Sequence, residues 1–253
     1  MTRIHRERWG TGETRVLFLH GWGCSGSLMK NSADALAPQA QVMTIDFPGF
    51  GESERPPEPW GVPEYAEAVR ELLREENFAP CCVVAHSFGG RIVLWLASEY
   101  PDLFEKIVIT GGAGLKKPQT EESRKRSEEF KRKKAVWEKV KAFSPLKGLA
   151  EKAEEKLRQQ YGSADYNALD EEMRKTFVKV ISLDLADRLP RIQQPTLLLW
   201  GDQDTETPLW MGQRMEREIP DAGLVILEGG THFAYLEQAG RFNTIVRQFL
   251  IGG

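Results

Sequence analysis

Short apolar runs alternate with amphipathic stretches along most of the chain. Rich in Val, Ile and Leu, the runs are predicted to be buried strands over 16–19, 42–45, 82–85, 106–110, 196–200 and 224–227. Between several of them, apolar residues recur every three or four positions, as they do on one face of a helix. This alternation predicts an α/β fold in which a mostly parallel sheet is covered by helices on both faces.

Three helical stretches are well defined by their pattern. One begins at Pro63, because proline fits the first turn of a helix, and it repeats apolar residues at 66, 69, 72 and 73. Another, near the carboxyl end, repeats them at 242, 245, 246 and 249. A third, over 91–98, is apolar on almost every side, which predicts a largely buried helix directly after the strand at 82–85.

The alternation stops after residue 114. From 115 to 189 the pattern is helical and contains no strand candidate. Two apolar repeats in this region are expected to pack against each other or against the core; they consist of Leu146, Leu149, Ala153 and Leu157, and of Leu169, Met173, Phe177, Val180 and Ile181. The predicted organisation is therefore a core domain formed by 1–114 and 190–253, with a helical segment inserted at 115–189.

Composition excludes several function classes. A hydrophobic content of 41% and a net charge of −3 are typical of a globular protein, and the overall charge does not favour nucleic acid as a partner. The three cysteines form neither a disulfide framework nor a metal motif, and no apolar run approaches the roughly 18 residues of a membrane span. We therefore expect a cytoplasmic protein with a small-molecule substrate and no metal or cofactor, as a monomer or a homodimer.

The inserted segment carries a local excess of positive charge. Residues 116–158 contain fifteen Lys and Arg against eight Asp and Glu, an excess of seven (15 − 8), which leaves the rest of the chain near −10 (−3 − 7). Because acidic and basic residues interleave, the pattern favours a solvated helix face. The alternative is a surface that attracts an anionic substrate or an acidic partner.

A candidate nucleophile, Ser87, lies between the strand at 82–85 and the helix that follows. A sharp turn at this point requires small residues two positions away on either side, and the chain has Ala85 and Gly89 there. Ser87 is then exposed at the carboxyl end of a strand, with the amino terminus of a helix behind it. This arrangement favours nucleophilic chemistry at the serine hydroxyl.

Two further features lie at the carboxyl ends of predicted strands. The turn His20-Gly21-Trp22-Gly23 can direct backbone N–H groups into a cleft, and the N–H of Phe88 is a second donor, so that together they suit a developing oxyanion. After the strand at 196–200, Asp202 and Asp204 place two carboxylates, either of which could orient an imidazole. His232 follows the strand at 224–227 in a loop, which completes the order serine, aspartate, histidine.

With these motifs the sequence resembles the α/β-hydrolase superfamily over nearly its full length. The resemblance also includes residues 46–53, which are similar to the Asp-x-x-Gly-x-Gly-x-Ser loop of that superfamily. It implies that Ser87 is the nucleophile, His232 the general base and acid, and Asp204 the orienting carboxylate. It further implies that the amides of Trp22 and Phe88 form the oxyanion hole and that the insertion is a cap. Asp202 is expected to cap or brace its turn, as aspartate does in many loops.

Three functions remain compatible with the sequence. A serine at position 87 argues against the dehalogenases and epoxide hydrolases of the superfamily, which have aspartate there. The pattern is similar to capped hydrolases that cleave carbon–carbon bonds in dienoates, but those enzymes usually carry tryptophan after the base, where this chain has Phe233. We therefore expect an esterase that forms an acyl-enzyme, with carbon–carbon hydrolysis and a non-catalytic binding module as alternatives.

Overall fold

The computed structural model describes residues 2–117, 166–167 and 169–252, together with some positions between 121 and 136. The chain divides into two compact units, Met1–Leu115 with Val178–Gly253 and Lys116–Phe177. Residues 178–189, which the sequence analysis assigned to the insertion, belong to the first unit. The role of the second unit as a cap stays a prediction, and the apolar repeat at 146–157 lies outside the described residues.

A seven-stranded sheet forms the centre of the first unit. Its strands are β1 Arg6–Gly10, β2 Thr14–Leu19, β3 Ala40–Ile45, β4 Cys81–His86, β5 Phe104–Thr110, β6 Thr196–Gly201 and β7 Ala222–Leu227, in the order β1-β3-β2-β4-β5-β6-β7. All neighbouring pairs are parallel except β1 and β3. The six predicted strands are all present, each at its predicted place in the chain, and the predicted mostly parallel sheet is confirmed.

Seven helices lie wholly within the described residues. They are α1 Lys30–Leu36, α2 Val62–Glu75, α3 Phe88–Glu99, α4 Glu171–Ser182, α5 Trp210–Glu218, α6 Ala234–Glu237 and α7 Ala239–Ile251. The helix predicted from Pro63 is α2, whose first turn is closed when the Gly61 N–H donates to Glu64 Oε2 over 2.8 Å. None of the described helices combines the length and the apolar character needed to cross a membrane.

Both faces of the central strands are buried. One face contributes Val16, Phe18 and Val84 to a core that also contains residues of α1 and α7. Because successive residues of a strand point to opposite faces, Leu17 and Val83 lie on the other face, and they are completely buried as well. Covered on both sides, the central strands are apolar throughout, which is why they are visible in the sequence as uninterrupted runs.

The two ends of the insertion meet on the first unit. The N–H of Leu185 donates to the carbonyl of Gly114 over 2.9 Å, so the exit from β5 and the returning chain lie side by side. Arg91 of α3 donates to the carbonyls of Val180 and Leu183 over 3.0 and 2.7 Å. In α4, Val180 is buried as the apolar repeat predicts, whereas Ile181 is exposed and the prediction that it packs is wrong.

Candidate active site

Ser87 occupies a sharp turn between the central strand β4 and α3. Its backbone has φ 51° and ψ −107°, a conformation that residues other than glycine rarely adopt. The Ser87 N–H donates to the carbonyl of Thr110 on β5 over 3.1 Å. The predicted need for a small residue at position 89 has a direct cause, because a Cβ on Gly89 would lie 2.6 Å from the Leu19 carbonyl oxygen.

The turn after β2 packs against this elbow. The N–H of Gly89 donates to the carbonyl of His20 over 3.1 Å, and the rings of Trp22 and Phe88 are in edge contact with centroids 5.4 Å apart. Phe88 is the first residue of α3, where backbone N–H groups have no acceptor within the helix. The structure thus brings together the two segments that carry the predicted oxyanion amides.

His20 is a buried structural residue of this turn. Its Nε2 accepts a hydrogen bond from the N–H of Phe47 over 2.9 Å, so its Nδ1 carries the proton and donates to the Gly21 carbonyl over 2.7 Å. Burial lowers the pKa of His20 to about 4, which keeps the imidazole neutral. A neutral ring of fixed tautomer connects the turn after β2 with the loop that begins after β3.

Asp46 holds that second loop in place. Its carboxylate accepts hydrogen bonds from the N–H groups of Gly26 and Glu52, over 2.6 and 2.8 Å, and its carbonyl accepts from the Ser53 hydroxyl over 2.6 Å. Asp46 and Ser53 therefore close the loop at 46–53 on itself and attach it to the turn before α1.

The predicted acid and base are paired. His232 Nδ1 lies 2.8 Å from Asp204 Oδ2, while the other carboxylate oxygen, Oδ1, accepts from the N–H groups of Glu206 and Thr207 at 2.9 Å each. Asp202 instead accepts from the Gly229 N–H over 2.7 Å and joins the loops after β6 and β7. Of the two carboxylates that the sequence left open, Asp204 contacts the imidazole and Asp202 braces the turn.

Asp204 stays ionised although it is buried. Burial acts to raise the pKa of the Asp204 carboxyl, but the hydrogen bonds and charge of His232 and the donors of Thr207 outweigh it and hold this pKa below its usual range. A carboxylate that keeps its charge beside an imidazole orients the ring through Nδ1–H and stabilises the imidazolium form. The pair is therefore suited to general base catalysis through Nε2.

Contacts with β5 and β4 place this pair beside the elbow. Gly111 directly follows β5, whose Thr110 carbonyl accepts the Ser87 N–H. It has φ +51°, and a Cβ there would lie 3.2 Å from both Asp204 Oδ2 and His232 Nδ1. His86 Nε2–H donates to the carbonyl of His232 over 2.9 Å, and the two imidazole rings are 4.7 Å apart. His232, the predicted base, thus contacts the residue that directly precedes Ser87.

The hydrogen bond between serine and base is not formed in this structure. Among the described residues, the Ser87 hydroxyl has no hydrogen-bond partner, and Ser87 is half-buried. Such bonds are often long in a free enzyme and tighten when substrate binds. Three of the predicted residues, Asp204, His232 and Ser87, therefore lie in one region of the first unit, with the acid and base already bonded.

Sequence reasoning missed three residues that build this site. His86 binds the backbone of the base, Gly111 provides the space between β5 and the acid–base pair, and Thr207 contacts both the acid and the base. None of the three had a sufficient local signal, because the bonds of Thr207 to Gly111 and His232, and the bond of His86 to His232, join distant parts of the chain. The described residues include no group of three or more His, Cys, Asp or Glu side chains that could hold a metal ion.

Comparison with known proteins identifies the family to which this fold belongs. The family model described as alpha/beta hydrolase fold matches residues 14–239. A 2-hydroxy-6-oxononadienedioate/2-hydroxy-6-oxononatrienedioate hydrolase of a Pseudomonas species is 26% identical over 98% of this chain and 91% of its own length. A pimeloyl-(acyl-carrier protein) methyl ester esterase of Neisseria meningitidis is 26% identical over 94% of both chains.

Solved structures show the same fold. A hydrolase from Pseudomonas aeruginosa PA01 superposes with a TM-score of 0.75 at 23% identity, covering 99% of this chain and 95% of that one. At this level of identity the likeness concerns the arrangement of the sheet and helices. A function has to come from the candidate site at the carboxyl ends of the strands, because the fold alone does not determine it.

Proposed function

Because the chain belongs to the family of the alpha/beta hydrolase fold, we propose that it is a serine hydrolase that cleaves small carboxylic esters through an acyl-enzyme. The observation that carries the proposal is the 2.8 Å contact between His232 Nδ1 and Asp204 Oδ2 beside the strained elbow of Ser87. Its relatives are named hydrolases and esterases, and the chain is an enzyme of this fold.

In the first half-reaction the Ser87 hydroxyl attacks the ester carbonyl. His232 Nε2 takes the hydroxyl proton as the oxygen–carbon bond forms, and the imidazolium then donates this proton to the departing alcohol. Asp204 accepts the Nδ1–H throughout and remains a carboxylate, because its Oδ1 is held by two backbone N–H groups. The elbow conformation keeps the serine oxygen clear of its own helix.

Backbone amides stabilise the negative charge that develops on the carbonyl oxygen. In the proposal, these are the N–H groups of Trp22 and Phe88, supported by the positive amino terminus of α3. Loss of one such donor typically raises the barrier by about 2.7–4 kcal/mol. The contact between the two segments that carry them, through the rings of Trp22 and Phe88, supports this pairing.

The second half-reaction returns the enzyme to its starting state. His232 removes a proton from water, the hydroxide oxygen attacks the acyl carbonyl, and Ser87 leaves with the proton held by the imidazolium. The products are the carboxylic acid and the free serine. The neutral ring of His86, which touches His232, adds no positive charge beside the imidazolium that forms twice in each cycle.

Carbon–carbon bond hydrolysis is a second candidate, favoured by the similarity to the Pseudomonas dienedioate hydrolase over nearly the whole chain. We place it second because Phe233 follows the base, whereas the enzymes of that type usually have tryptophan there. Phe233 is 38% exposed and its ring contacts those of His86 and His232. The two candidate functions use the same serine and base, and they differ in the substrate bond that is cleaved.

A substrate panel tests the proposal. Short-chain aryl esters, thioesters, lactones and a dienoate dione are assayed with the wild type, with Ser87→Ala, and with Ser27→Ala, which removes an exposed serine hydroxyl. We expect ester turnover to fall at least about a thousandfold in Ser87→Ala and to be unchanged in the control. Faster consumption of the dienoate than of every ester would favour the second candidate.

Labelling with a fluorophosphonate probe separates an enzyme from a binding module. The wild type and Ser27→Ala are expected to be labelled, and Ser87→Ala is expected not to be. Ester turnover that survives Ser87→Ala unchanged, or a wild type that the probe does not label, contradicts the proposal. The second result would instead support a protein that binds a small molecule on the same fold without cleaving it.

A further inference from the structure

The hydroxyl of Thr207 lies at the centre of the acid–base pair. Thr207 Oγ1 is 2.9 Å from Asp204 Oδ2, 2.9 Å from the carbonyl oxygen of Gly111 and 3.2 Å from His232 Nδ1. The side chain is buried, with 6% of its surface exposed. It thus contacts the acid, the base and the loop after β5 at the same time.

The hydrogen and the lone pairs of this hydroxyl determine which hydrogen bonds it can make. It has one hydrogen and two lone pairs, and both neighbouring oxygens, on Asp204 and Gly111, are acceptors at an equal 2.9 Å. The hydrogen is therefore shared between the carboxylate and the carbonyl. A lone pair of Oγ1 faces the Nδ1–H of His232, whose main acceptor is the carboxylate at 2.8 Å.

We propose that Thr207 is a positioning residue that fixes the Asp204 carboxylate, and through it the imidazole of His232, relative to the end of β5. The proposal rests on the proposed function, since it concerns the base of that reaction. Asp204 Oδ1 is already held by two backbone N–H groups, and the Thr207 hydroxyl adds a donor at Oδ2. Because Oδ2 also bonds to His232 Nδ1, this second donor opposes rotation of the carboxylate when the ring moves.

The same hydroxyl connects Asp204 to the end of β5, which holds the backbone of Ser87. Gly111, whose carbonyl accepts from Thr207, directly follows Thr110, whose carbonyl accepts the Ser87 N–H. A short path of hydrogen bonds thus runs from the elbow through the end of β5 to the acid and then to the base. The separation between base and serine depends on this path, because the two side chains are not bonded to each other in the free enzyme.

Two variants separate the effect of the Thr207 hydroxyl from the effect of the side-chain shape. Thr207→Val keeps the branched shape and removes the O–H, whereas Thr207→Ser keeps the O–H and removes the methyl group. A hydrogen bond to a charged group is worth about 1.5–3 kcal/mol. We therefore expect kcat for an aryl ester to fall about 10- to 100-fold in Thr207→Val with KM unchanged, and Thr207→Ser to stay near the wild type.

The pH profile gives a readout that a merely structural role would not move. A carboxylate that has lost a donor holds the imidazolium proton more strongly, so the acid limb of kcat/KM is expected at higher pH in Thr207→Val. The charged and titratable groups around His232 that could contribute, Asp204 and His86, are the same in all variants. The profile of Thr207→Ser is expected to match the wild type.

Proton NMR of the free enzyme tests the contact without any turnover. The far-downfield signal of the Nδ1–H in the histidine–aspartate bond is expected in the wild type and in Thr207→Ser, and it should be displaced or broadened in Thr207→Val. Assignment rests on its loss in His232→Gln. If Thr207→Val matches the wild type in kcat, pH profile and NMR signal, or if Thr207→Ser is as impaired as Thr207→Val, the inference is overturned.

The proposed function can fail separately from this inference. Turnover that does not depend on Ser87 contradicts the serine mechanism, even if the NMR signal responds to Thr207→Val as expected. Turnover that depends on Ser87 but is indifferent to Thr207→Val leaves the mechanism standing and removes Thr207 from it. Circular dichroism of each variant establishes that the fold is retained before kinetics are compared.

Discussion

At the scale of single residues, the most constrained position is Ser87, the proposed nucleophile. Ser87 has φ 51° and ψ −107°, where the Cβ of any residue other than glycine crowds its own backbone. Such conformations cost about 1–3 kcal/mol and persist only where the surroundings impose them. Here the surroundings are β4 on one side and α3 on the other, both buried.

Replacing Ser87 with glycine is expected to stabilise the protein relative to Ser87→Ala. Both variants lack the hydroxyl, but only glycine relieves the strain, and its entropic cost of about 0.5–1 kcal/mol is smaller than the strain. In an ordinary helix or strand this order is reversed. The measurement is the urea midpoint of each variant at pH 7.5, and an alanine variant that is as stable as the glycine variant would contradict the strained conformation.

The sequence pointed to the proposed catalytic residues more readily than to the residues that hold them in place. Ser87, Asp204 and His232 stand at strand ends within recognisable patterns, so their meeting could be predicted from the topology. Thr207 and His86 could not be predicted, because their roles come from contacts across the fold. His86 binds a carbonyl 146 positions away along the chain, and a single sequence contains no signal for that pairing.

At the scale of elements, α3 also holds the end of α4 through Arg91. Arg91, in its first turn, is buried and donates to two carbonyls at the end of α4, those of Val180 and Leu183. The last carbonyls of a helix lack partners within it and carry the negative end of its dipole, so a cation is favourable there. Burial lowers the pKa of Arg91 to about 10, which still leaves it charged at neutral pH.

Arg91→Met is expected to lower the free energy of unfolding by about 2–4 kcal/mol. Methionine retains the unbranched apolar stem but leaves the two carbonyls without their donor. Arg91→Lys is the matched control, since it keeps the charge and can serve one of the carbonyls, and it should lose about half as much. Urea unfolding monitored by tryptophan fluorescence provides the measurement, and equal stability of all three proteins would refute the contact.

Strands buried on both faces were the easiest elements to predict, and short or exposed elements were harder. Five of the six predicted strands, β2 to β6, are apolar because both of their faces are largely buried, whereas β7 is only partly buried and was predicted from its apolar run alone. β1, with the sequence RERWG, was missed because it lies at the edge of the sheet and most of its residues are exposed. The helices α1 and α5 are short, at seven and nine residues, and too few apolar positions fall on one face to identify them.

At the scale of the whole molecule, two buried imidazoles make stability depend on pH. Burial lowers the pKa of His20 to about 4, and burial together with the neighbouring His232 lowers that of His86 to about 3. In the unfolded chain both titrate near 6.5. Because the unfolded state binds these protons more readily, the stability that the neutral rings contribute is complete above pH 6.5 and is lost as the pH falls towards 4.

The free energy of unfolding is expected to fall by about 3 kcal/mol for each of these histidines between pH 7.5 and pH 4. Together the losses are comparable to the total stability of many domains, so unfolding in mild acid is expected. Urea titrations at intervals of one pH unit check this, with His5→Gln as a control that should keep the same slope. A free energy of unfolding that is constant between pH 6.5 and 4.5 would contradict the buried, neutral assignment.

The hydrogen bond between Leu185 and Gly114 affects which insertions this chain can accept during evolution. It joins the chain directly after β5 to the chain that leads back towards β6, so any segment inserted between these two points has its ends held together. Lengthening or exchanging a segment between joined ends adds little closure entropy. Recombination at this junction could therefore supply new inserts to one unchanged catalytic scaffold.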